Sequence, residues 1–427
     1  MYAVQGAPLK LMKHELGRVS EIETFLGKQG TFEIKTLSNG LFAAAGSSDA
    51  TLEAMRYHYV WVRDNVNIAH CLYQLGRVDE AVQTLTALNR FFWHHNHRFL
   101  DIIDGRTDPG DAMSRPHIRF DGRTLQEVDE AWSHKQNDAL GYFLWFSCKL
   151  LSTGELEPTP ELLSTLALFP QFFNAIAYWQ DADSGHWEET EAVRASSIGV
   201  ALAGLVALRA LLVQTSFAEA FVKEGVTTAL LDRLCSLGQR ALRDILPHES
   251  VQPGRERSCD AALLFLIYPA EIVDHATADL IINNVRNLLQ GEIGITRYQG
   301  DTFWAPDYKE RVSQEERTGL LNESGVRNRV VVQPGEEAQW CLFDSILSII
   351  YGERFLKQGR KGDLDLQIDY LNRALGQLTR PSDQFPPYRC PEAYYMARGH
   401  WVPNDATPLL WAQANLQLAL RQAELSR

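Results

Sequence analysis

The sequence predicts an all-α fold in a single domain, and three observations carry that prediction. Helical periodicity dominates wherever the hydrophobic pattern is long enough to count. Strand-like alternation is rare, and its best short candidates are Thr31–Ile34 and Arg329–Val332. No serine- or glycine-rich linker and no abrupt change in composition divides the 427 residues. One large domain therefore accounts for the chain better than two or three average domains.

The helices can be predicted in order along the chain. Asn65–Phe92 has the apolar spacing of two amphipathic helices, interrupted at Gly76–Arg77, where the glycine ends the first helix. Similar stretches follow, and each predicts a further helix: Gln136–Leu151, Pro160–Trp179, Ser196–Val213, Thr227–Ile245, Thr277–Leu289, Glu336–Leu356, Asp363–Leu378 and Pro408–Gln422. No strict repeat accompanies them, which argues against a solenoid.

Long polar connections separate several of these helices. They span Asp101–Glu130, Asp181–Ala195, Arg297–Gly335 and Pro381–Thr407. Compact domains rarely keep structureless loops longer than about 12–15 residues unless the loops have a function. We therefore expect a helical scaffold that builds its functional site from loops on one face.

Composition and charge exclude several classes of partner. The chain has 54 acidic and 41 basic residues, a net charge of −13. This excess repels phosphate backbones and anionic lipid, so we expect neither nucleic-acid nor membrane binding. The six cysteines are scattered without a CxxC pair, and no ligand cluster is visible, so neither a metal nor another cofactor is expected.

The apolar segments indicate a soluble, cytoplasmic protein. The N-terminal residues contain no continuous apolar run of the kind found in signal peptides. The most apolar stretch, Ile198–Val213, is interrupted by Arg209 and is too short to predict a membrane span. The sequence carries no signal for an oligomeric state.

A first cluster of chemically useful residues lies in the segment Tyr57–Asp64. Arg63 beside Asp64 combines a fork of donors with a pair of acceptors, which suits the hydroxyls of a sugar. The aromatic residues around them can stack on the CH faces of sugar rings. The alternative is an ion pair that caps the helix predicted to start near Asn65.

Three further clusters lie in the long loops. Glu188 and Glu189 follow Trp187, and a carboxyl desolvated beside a tryptophan gains the raised pKa of a general acid. The alternative is a solvated acidic turn. Glu392, next to Pro391 and two tyrosines, could activate water as a general base, or it could be an ordinary surface residue. The fourth cluster contains Arg297, Tyr298, Asp301 and Trp304, and its alternative is a charged loop that pairs with nearby acidic residues.

Taken together, these clusters resemble glycoside hydrolase family 15, the glucoamylase family. The resemblance covers nearly the whole chain and is closer still to relatives of that family, the alpha and beta subunits of phosphorylase kinase. The kinase-subunit-like segments are Val60–Val66, Trp132–Asp138, Ala195–Gly199 and Glu337–Trp340. The kinase subunits carry Trp-Glu-Arg where this chain has Trp187-Glu188-Glu189, which favours an enzyme.

The resemblance implies a fold and a set of site residues. The fold would be an (α/α)6 barrel over residues 51–427, with residues 1–50 as an N-terminal segment that packs on it. Glu188 would be the general acid and Glu392 the catalytic base. Arg63 and Asp64 would grip the terminal glucose, Glu189 would bind hydroxyls in the neighbouring subsite, and Arg297 would contact substrate beside the scissile bond. Other substrate-binding residues would be Tyr57, Trp132, Trp187 and Trp411.

The resemblance also implies an activity. An inverting, exo-acting α-glucosidase of this kind releases β-glucose from the non-reducing end and holds its two carboxyls about 6.5–9.5 Å apart. The chain leaves little room for the β-sandwich or starch-binding module of many relatives, so we expect a soluble α-glucoside or α-glucan oligosaccharide as substrate. The alternatives are a non-catalytic glucan-binding or regulatory protein and, less favoured, a helical scaffold without a sugar site.

Overall fold

The computed structural model describes residues 3–4, 7–8, 10–11, 16–46, 56–312 and 332–427. Most of this part of the chain is helical. Numbered in chain order within these ranges, the α-helices are α1 Val19–Lys28, α2 Val62–Gln74, α3 Val78–His94, α4 His97–Ile103, α5 Asn137–Thr153, α6 Pro160–Ala175, α7 Ala195–Leu211, α8 Thr215–Lys223, α9 Thr228–Ile245, α10 His275–Leu288, α11 Tyr308–Arg311, α12 Phe343–Gln358, α13 Lys361–Gly376 and α14 Leu410–Leu425. Shorter 3-10 helices cover Leu16–Arg18, Ala112–Ser114 and Ala261–Leu266.

The strands within the described ranges are short, and all of them pair antiparallel. β1 (Ala3–Val4) pairs with β2 (Ala7–Pro8). One three-stranded sheet has the order β3–β4–β5, and the other has the order β6–β7–β8. Their bounds are β3 Val60–Trp61, β4 Arg119–Asp121, β5 Gln126–Glu127, β6 Gln339–Trp340, β7 Ala393–Ala397 and β8 His400–Pro403.

The described helices form two concentric rings of six. The inner ring runs through α2, α5, α7, the 3-10 helix Ala261–Leu266, α12 and α14, and α14 packs back against α2. Between the 3-10 helix and α12, the Phe265 and Phe343 rings lie 5.9 Å apart. The outer ring consists of α3, α6, α9, α10, α13 and α1, each packed on an inner partner. This is an (α/α)6 barrel, the fold class that was predicted.

Burial distinguishes the two rings. The outer helix α9 is amphipathic, because its buried residues recur every three or four positions: Leu231, Leu234, Cys235, Gly238, Leu242 and Ile245. The inner helix α7 is instead buried on every side from Ala195 to Leu205. Within the described ranges, no single helix is long and apolar enough to cross a membrane. The segments α7 and α8 reach that length only together, with a bend of 117° between them.

Glycines allow the inner helices α5 and α7 to pack closely. A Cβ atom on Gly141 would lie 2.6 Å from the backbone nitrogen of Ala201, and one on Gly204 would lie 2.8 Å from the backbone oxygen of Gly141. Real Cβ atoms do not tolerate such contacts, so the helices approach here because neither residue has a side chain.

Most helix predictions are confirmed, with shifts of a few residues at their ends. The break predicted at Gly76–Arg77 separates α2 from α3. The helix predicted to begin at Glu336 starts instead at Phe343, because Gln339–Trp340 pairs with β7. Helices α1, α4, α8 and α11 and the 3-10 helix Ala261–Leu266 were not predicted.

The strand predictions fare worse. Thr31–Ile34 forms no strand, because it continues the turn that ends α1, where the Thr31 amide donates to the Leu26 carbonyl at 3.0 Å. Of the second candidate, residues 329–331 lie outside the described residues, and Val332 is in no strand. The connection Pro381–Thr407 was expected to be a loop, but it contains the β7–β8 hairpin.

The N-terminal helix α1 lies in the outer ring, against α14. Their contact includes a hydrogen bond of 2.7 Å from the Ser20 hydroxyl to Glu424. The predicted N-terminal segment, residues 1–50, thus contributes one helix to the outer ring in its described part. The boundary placed at residue 50 stays a prediction.

Candidate active site

The candidate site lies where the inner helices begin. Arg63 and Asp64 are in the first turn of α2, Asp138 is the second residue of α5, and Trp411 is the second residue of α14. β3 runs directly into α2, and β6 ends just before α12. The two small sheets therefore fix the loops at this end of the barrel. The sequence analysis expects a functional site built from loops on one face.

Glu188 lies in the loop between α6 and α7, and its backbone has a φ of 56°. This left-handed conformation costs a residue with a side chain roughly 1–2 kcal/mol, so its surroundings must impose it. The Glu188 amide donates to the Gly185 carbonyl at 3.2 Å, and the Glu189 amide donates to the Ser184 carbonyl at 3.0 Å. These bonds fix the direction in which the Glu188 side chain leaves the loop.

The Glu188 carboxylate faces one indole and one guanidinium group. Trp61 Nε1 donates to Glu188 Oε1 at 2.8 Å, and an Arg63 nitrogen lies 3.2 Å from the same oxygen. The side chain is 18% exposed. Burial raises the pKa of Glu188 above its ordinary value, although Arg63, Arg119 and the hydrogen bond from Trp61 act to lower it. A carboxyl with a raised pKa can hold or release a proton at higher pH than an ordinary carboxyl, which suits general acid–base chemistry.

Glu392 directly precedes β7 and is buried, with 3% of its surface exposed. The Tyr57 hydroxyl donates to Oε1 at 2.8 Å, and Asn404 Nδ2 donates to Oε2 at 2.6 Å. Burial raises the pKa of Glu392 to about 7, and the hydrogen bonds from Tyr57 and Asn404 oppose that rise. Glu392 is therefore a buried carboxyl and not the surface residue of the alternative interpretation.

One pair of aromatic rings joins the two carboxyls. The rings of Tyr57 and Trp61 lie 5.6 Å apart, and each donates a hydrogen bond to one of the two glutamates. Burial raises the pKa of Tyr57, and the charges of Glu392, Glu188 and Asp64 act in the same direction. Glu188 and Glu392, which are separated by 204 residues of chain (392 − 188), thus converge on a single site.

Residues at the start of α5 hold the Arg63 side chain in place. One of its nitrogens donates to Gln136 Oε1 at 2.9 Å and to Asp138 Oδ2 at 2.7 Å. The neighbouring Asp64 is half-buried, and burial raises its pKa to about 7 against the lowering effect of Arg63. The N-cap residue of α2, Trp61, makes no capping bond with its side chain. Arg63 therefore bonds to residues of a second helix, which goes beyond the local helix cap of the alternative interpretation.

Glu189 lies at the centre of a buried ion cluster. Its carboxylate accepts hydrogen bonds from Tyr298 at 2.7 Å, Arg257 at 2.9 Å and Arg297 at 3.1 Å. Arg297 also makes two bonds of 2.6 Å to Asp301. The Glu189 side chain is 1% exposed. It is not part of a solvated turn, and its donors come from two other loops, which it holds together.

Trp132 lies on the side of the site next to β3. Its ring is 6.1 Å from the Trp61 ring and perpendicular to it, and the Arg119 guanidinium stacks 3.6 Å from the Trp132 ring centroid. Trp132 is half-buried, as is Tyr57. These two residues, predicted to line a glucose pocket, therefore both adjoin Trp61 and keep part of their surface accessible.

Trp187 and Trp411 differ in how far they are buried. Trp187 donates from Nε1 to Asp260 at 2.9 Å, and its ring lies 5.5 Å from that of Trp340. Trp411 stacks on Phe265 at 5.3 Å and is only 5% exposed. Trp411 thus packs in the inner ring, whereas Trp187 stays half-buried in the Glu188 loop.

Several residues that shape the site were not singled out in the sequence. Trp61, Gln136 and Asp138 lie inside motifs that carried the family resemblance, so a signal for them existed. Asn404 and Arg257 had none, because each contacts its glutamate only through the folded chain. The residues without a predicted role are Trp61, Arg119, Gln136, Asp138, Arg257, Asp260 and Asn404.

The arrangement provides two carboxyl groups in a partly dehydrated site. Burial raises the pKa values of both Glu188 and Glu392, a perturbation that is common among groups that transfer protons. Arg63 and Asp64 add a charged pair that can bind hydroxyl groups. Across the part of the chain that is described, no group of three His, Cys, Asp or Glu side chains is placed to hold a metal ion.

Comparison with known proteins adds a family and several relatives. A family model described as glycosyl hydrolases family 15 matches residues 30–348. The protein described as "Probable phosphorylase b kinase regulatory subunit alpha" of Caenorhabditis elegans is 25% identical over 409 residues. That match covers 83% of this chain but only 30% of the relative, so the chain spans less than a third of that protein.

Solved structures of similar fold include glycosidases and glucoamylases. A wild-type glycosidase has a TM-score of 0.66 and 18% identity, with 97% of this chain and 99% of the other covered. A variant glycosidase in complex with glucose has a TM-score of 0.65 at the same identity and coverage. The glucoamylase of Hormoconis resinae has a TM-score of 0.59 and 12% identity over 97% of this chain and 74% of its own. At these identities the likeness concerns the fold alone.

Proposed function

Because the chain belongs to glycosyl hydrolases family 15, we propose that it is an inverting, exo-acting α-glucosidase. Its substrate would be a soluble α-glucoside or α-glucan oligosaccharide, and its product β-glucose from the non-reducing end. One observation carries the proposal. Tyr57 and Trp61 are neighbouring aromatic residues, and they donate hydrogen bonds to Glu392 and Glu188 respectively. A complex with glucose in a protein of the same fold supports a sugar as ligand.

In the first half of the proposed reaction, Glu188 acts as the general acid. Its raised pKa keeps a fraction of the carboxyl protonated, and that proton passes to the glycosidic oxygen as the bond to the anomeric carbon breaks. Positive charge develops on the sugar ring. The carboxylates of Glu392 and Asp64 lie close enough to Tyr57 to raise its pKa, so both are also placed to stabilise that charge.

In the second half, Glu392 acts as the general base. It removes a proton from a water molecule, and the oxygen of that water attacks the anomeric carbon from the face opposite to the departing group. Tyr57 and Asn404 each hold one oxygen of Glu392, so the carboxylate keeps a fixed orientation towards the water. Because the attack comes from the opposite face, an α-linked substrate yields β-glucose.

Turnover of maltose by three glutamate variants tests the catalytic roles. We expect Glu188→Gln and Glu392→Gln to lower kcat by about 10²–10⁴ each, the usual contribution of general acid–base catalysis. Glu155→Gln, at an exposed position between α5 and α6, is the matched control and should turn over maltose like the parent protein. Full activity in either active-site variant would contradict the assignment of that residue.

A second candidate function is regulatory, and the similarity to a phosphorylase b kinase subunit favours it. In that case the site would bind a glucan or a short oligosaccharide without cleaving it. Calorimetry would then detect sugar binding that persists in Glu188→Gln and Glu392→Gln, while the parent protein shows no turnover. Measurable hydrolysis by the parent protein would exclude this alternative.

A further inference from the structure

A second cavity opens at the opposite end of the barrel from the candidate site. Its volume is about 410 Å³, which falls within the range of small-molecule sites. Its walls include Gln74, Ser152 and Leu211, which are the last or next-to-last residues of α2, α5 and α7, and Glu353 near the end of α12. Four inner helices therefore end around this cavity.

The cavity is separate from the catalytic residues. His70, in its wall, follows Arg63 by seven residues on α2, and Lys149 follows Asp138 by eleven residues on α5. At 1.5 Å per helical residue, these intervals place the cavity roughly 10–16 Å further along the barrel axis. A ligand there would contact none of the residues assigned to the proposed reaction.

The deep wall of the cavity carries a cation that forms no ion pair within the described ranges. The Lys149 ammonium lies 5.3 Å from the Trp145 ring centroid and 5.9 Å from that of Tyr73. Burial lowers the pKa of Lys149, while the charges of Glu271 and Glu353 act to raise it. Two rings thus hold an ammonium donor in place at the cavity wall.

The wall of the cavity also carries acceptors. Glu271 and Glu353 line it, and Lys357 lies 3.3 Å and 3.9 Å from their carboxylates. Gln74 and Gln214 add amide groups that both donate and accept hydrogen bonds. Donors and acceptors therefore both line a space large enough for one or two sugar rings.

The charges select the class of ligand. Lys149 and Lys357 balance the charges of Glu271 and Glu353, and the four helix C-terminal ends disfavour an added anion. An added cation would meet Lys149, which already occupies the aromatic wall. A neutral molecule with many hydroxyl groups can bind both kinds of group, because its hydroxyls accept from Lys149 and donate to the glutamates.

We propose that this far-end cavity is a second carbohydrate site, which takes a neutral mono- or disaccharide such as glucose or maltose. Sugar binding at this site requires no bond cleavage, so it does not depend on the roles of Glu188 and Glu392.

Calorimetric titration with glucose and with maltose tests the proposal. Ala210 lines the cavity and is exposed, so Ala210→Trp should fill the cavity mouth and abolish one class of sugar binding without changing turnover. Lys149→Met should raise the Kd of that class by about tenfold or more, the effect of losing a hydrogen bond to a charged group. Ala229→Trp, at an exposed position of α9 outside the cavity, is the matched control and should bind like the parent protein.

The outcomes separate this proposal from the proposed function. Sugar binding that is lost in Ala210→Trp and kept in Ala229→Trp supports the second site, whether or not the protein hydrolyses maltose. Unchanged stoichiometry and Kd for both sugars in Ala210→Trp would overturn it. The proposal would also be overturned if Ala210→Trp abolishes the binding of inorganic phosphate while neither glucose nor maltose shows binding that this variant abolishes.

Discussion

Glu188 and Glu392 have different neighbours, although burial raises the pKa of both. Glu392 accepts hydrogen bonds from two neutral groups, whereas Glu188 contacts an arginine and an indole. Because a neutral donor stabilises a carboxylate less than a cation does, Glu392 stays a strong base with a pKa of about 7. This difference gives the pH dependence of activity a definite origin.

Removing one donor should move the acid limb of the pH profile. The base must be ionised, so kcat/KM should fall as the pH drops below about 7 in the parent protein. The hydrogen bond from Tyr57 lowers the pKa of Glu392, and its loss in Tyr57→Phe should raise that pKa. We expect the acid limb of kcat/KM against pH to move up by about one unit.

Tyr73→Phe provides the comparison for this measurement. Tyr73 lies near the opposite end of α2 from Arg63, so the same loss of a hydroxyl there should leave the pH profile unchanged. An acid limb that stays in place, or moves to lower pH, in Tyr57→Phe would contradict the role of Tyr57 in setting the pKa of Glu392.

We expect Glu189 to contribute to the stability of the fold first and to catalysis only second. Glu189→Gln leaves Arg257 and Arg297 buried without their shared carboxylate, and breaking a buried ion cluster costs about 3 kcal/mol or more. The free energy of unfolding in urea measures this loss. Glu191→Gln, two residues away in a pair with Lys135 and 40% exposed, should cost under about 1 kcal/mol.

A different result would restore the role implied by the family resemblance. If Glu189→Gln retains the stability of the parent protein and only raises KM, then Glu189 binds substrate hydroxyls and does not hold the loops together.

Motif residues could be predicted at the site, whereas their partners could not. Glu188 and Arg63 belong to short segments whose composition suggests sugar chemistry, so the sequence points to both. Asn404 lies on the loop after β8 and reaches Glu392 only because the β7–β8 hairpin folds back. Contacts of that kind depend on strand register, which a single sequence does not encode locally.

At the scale of elements, the long helices of both rings were the easiest to predict. Helix α5 runs for 17 residues and α12 for 16, so their apolar patterns are long enough to recognise. Strands such as β3 and β6 have two residues each, too short for an alternating pattern to appear. The two sheets that fix the site loops were therefore missed, although they bring Trp61 and Glu392 into position.

The close contact between α5 and α7 makes a prediction about packing. A methyl group in Gly141→Ala would lie 2.6 Å from the α7 backbone, so the two inner helices must move apart. We expect a loss of about 2–3 kcal/mol in the free energy of unfolding, measured by urea denaturation. In Gly362→Ala on α13, nothing lies within 4 Å of the added atom, and the change should be neutral or stabilising by up to about 1 kcal/mol.

Equal stability of the two alanine variants would show that α5 and α7 are not in close contact. The inner ring would then be wider than described, and the start of α5, which holds Arg63, would not be fixed by α7.

At the scale of the whole molecule, buried ionisable groups set the pH dependence of stability. Burial raises the pKa values of Asp64, Asp183 and Glu392 to about 7 and also raises that of Glu249. Their stabilising contribution is present at low pH and is lost as the pH rises through the folded-state pKa. Buried histidines act oppositely, but only below pH 6.5, because burial lowers the pKa of His117 and of His186 to about 4.

Above pH 6.5 the histidines therefore no longer oppose the carboxyls. We expect Tm to fall by roughly 3–5 °C between pH 6.5 and 8.5, from the linkage of these four groups in a chain of this size. Differential scanning calorimetry measures the change. In Glu249→Gln, where the amide replaces a protonated acid, the fall should be smaller; a Tm that rises over this range would contradict the buried carboxyls.

At the scale of the barrel, the proposed mechanism requires the fold to bring Glu188 and Glu392 to one sugar, and the stereochemistry of the product tests that requirement most directly. Proton NMR can follow the glucose released from maltose, isomaltose, trehalose or maltodextrin before the anomers equilibrate. If water activated by Glu392 attacks opposite the bond that Glu188 protonates, β-glucose appears first. Initial release of α-glucose, or no release from any of these substrates by the folded protein, would contradict the proposed mechanism.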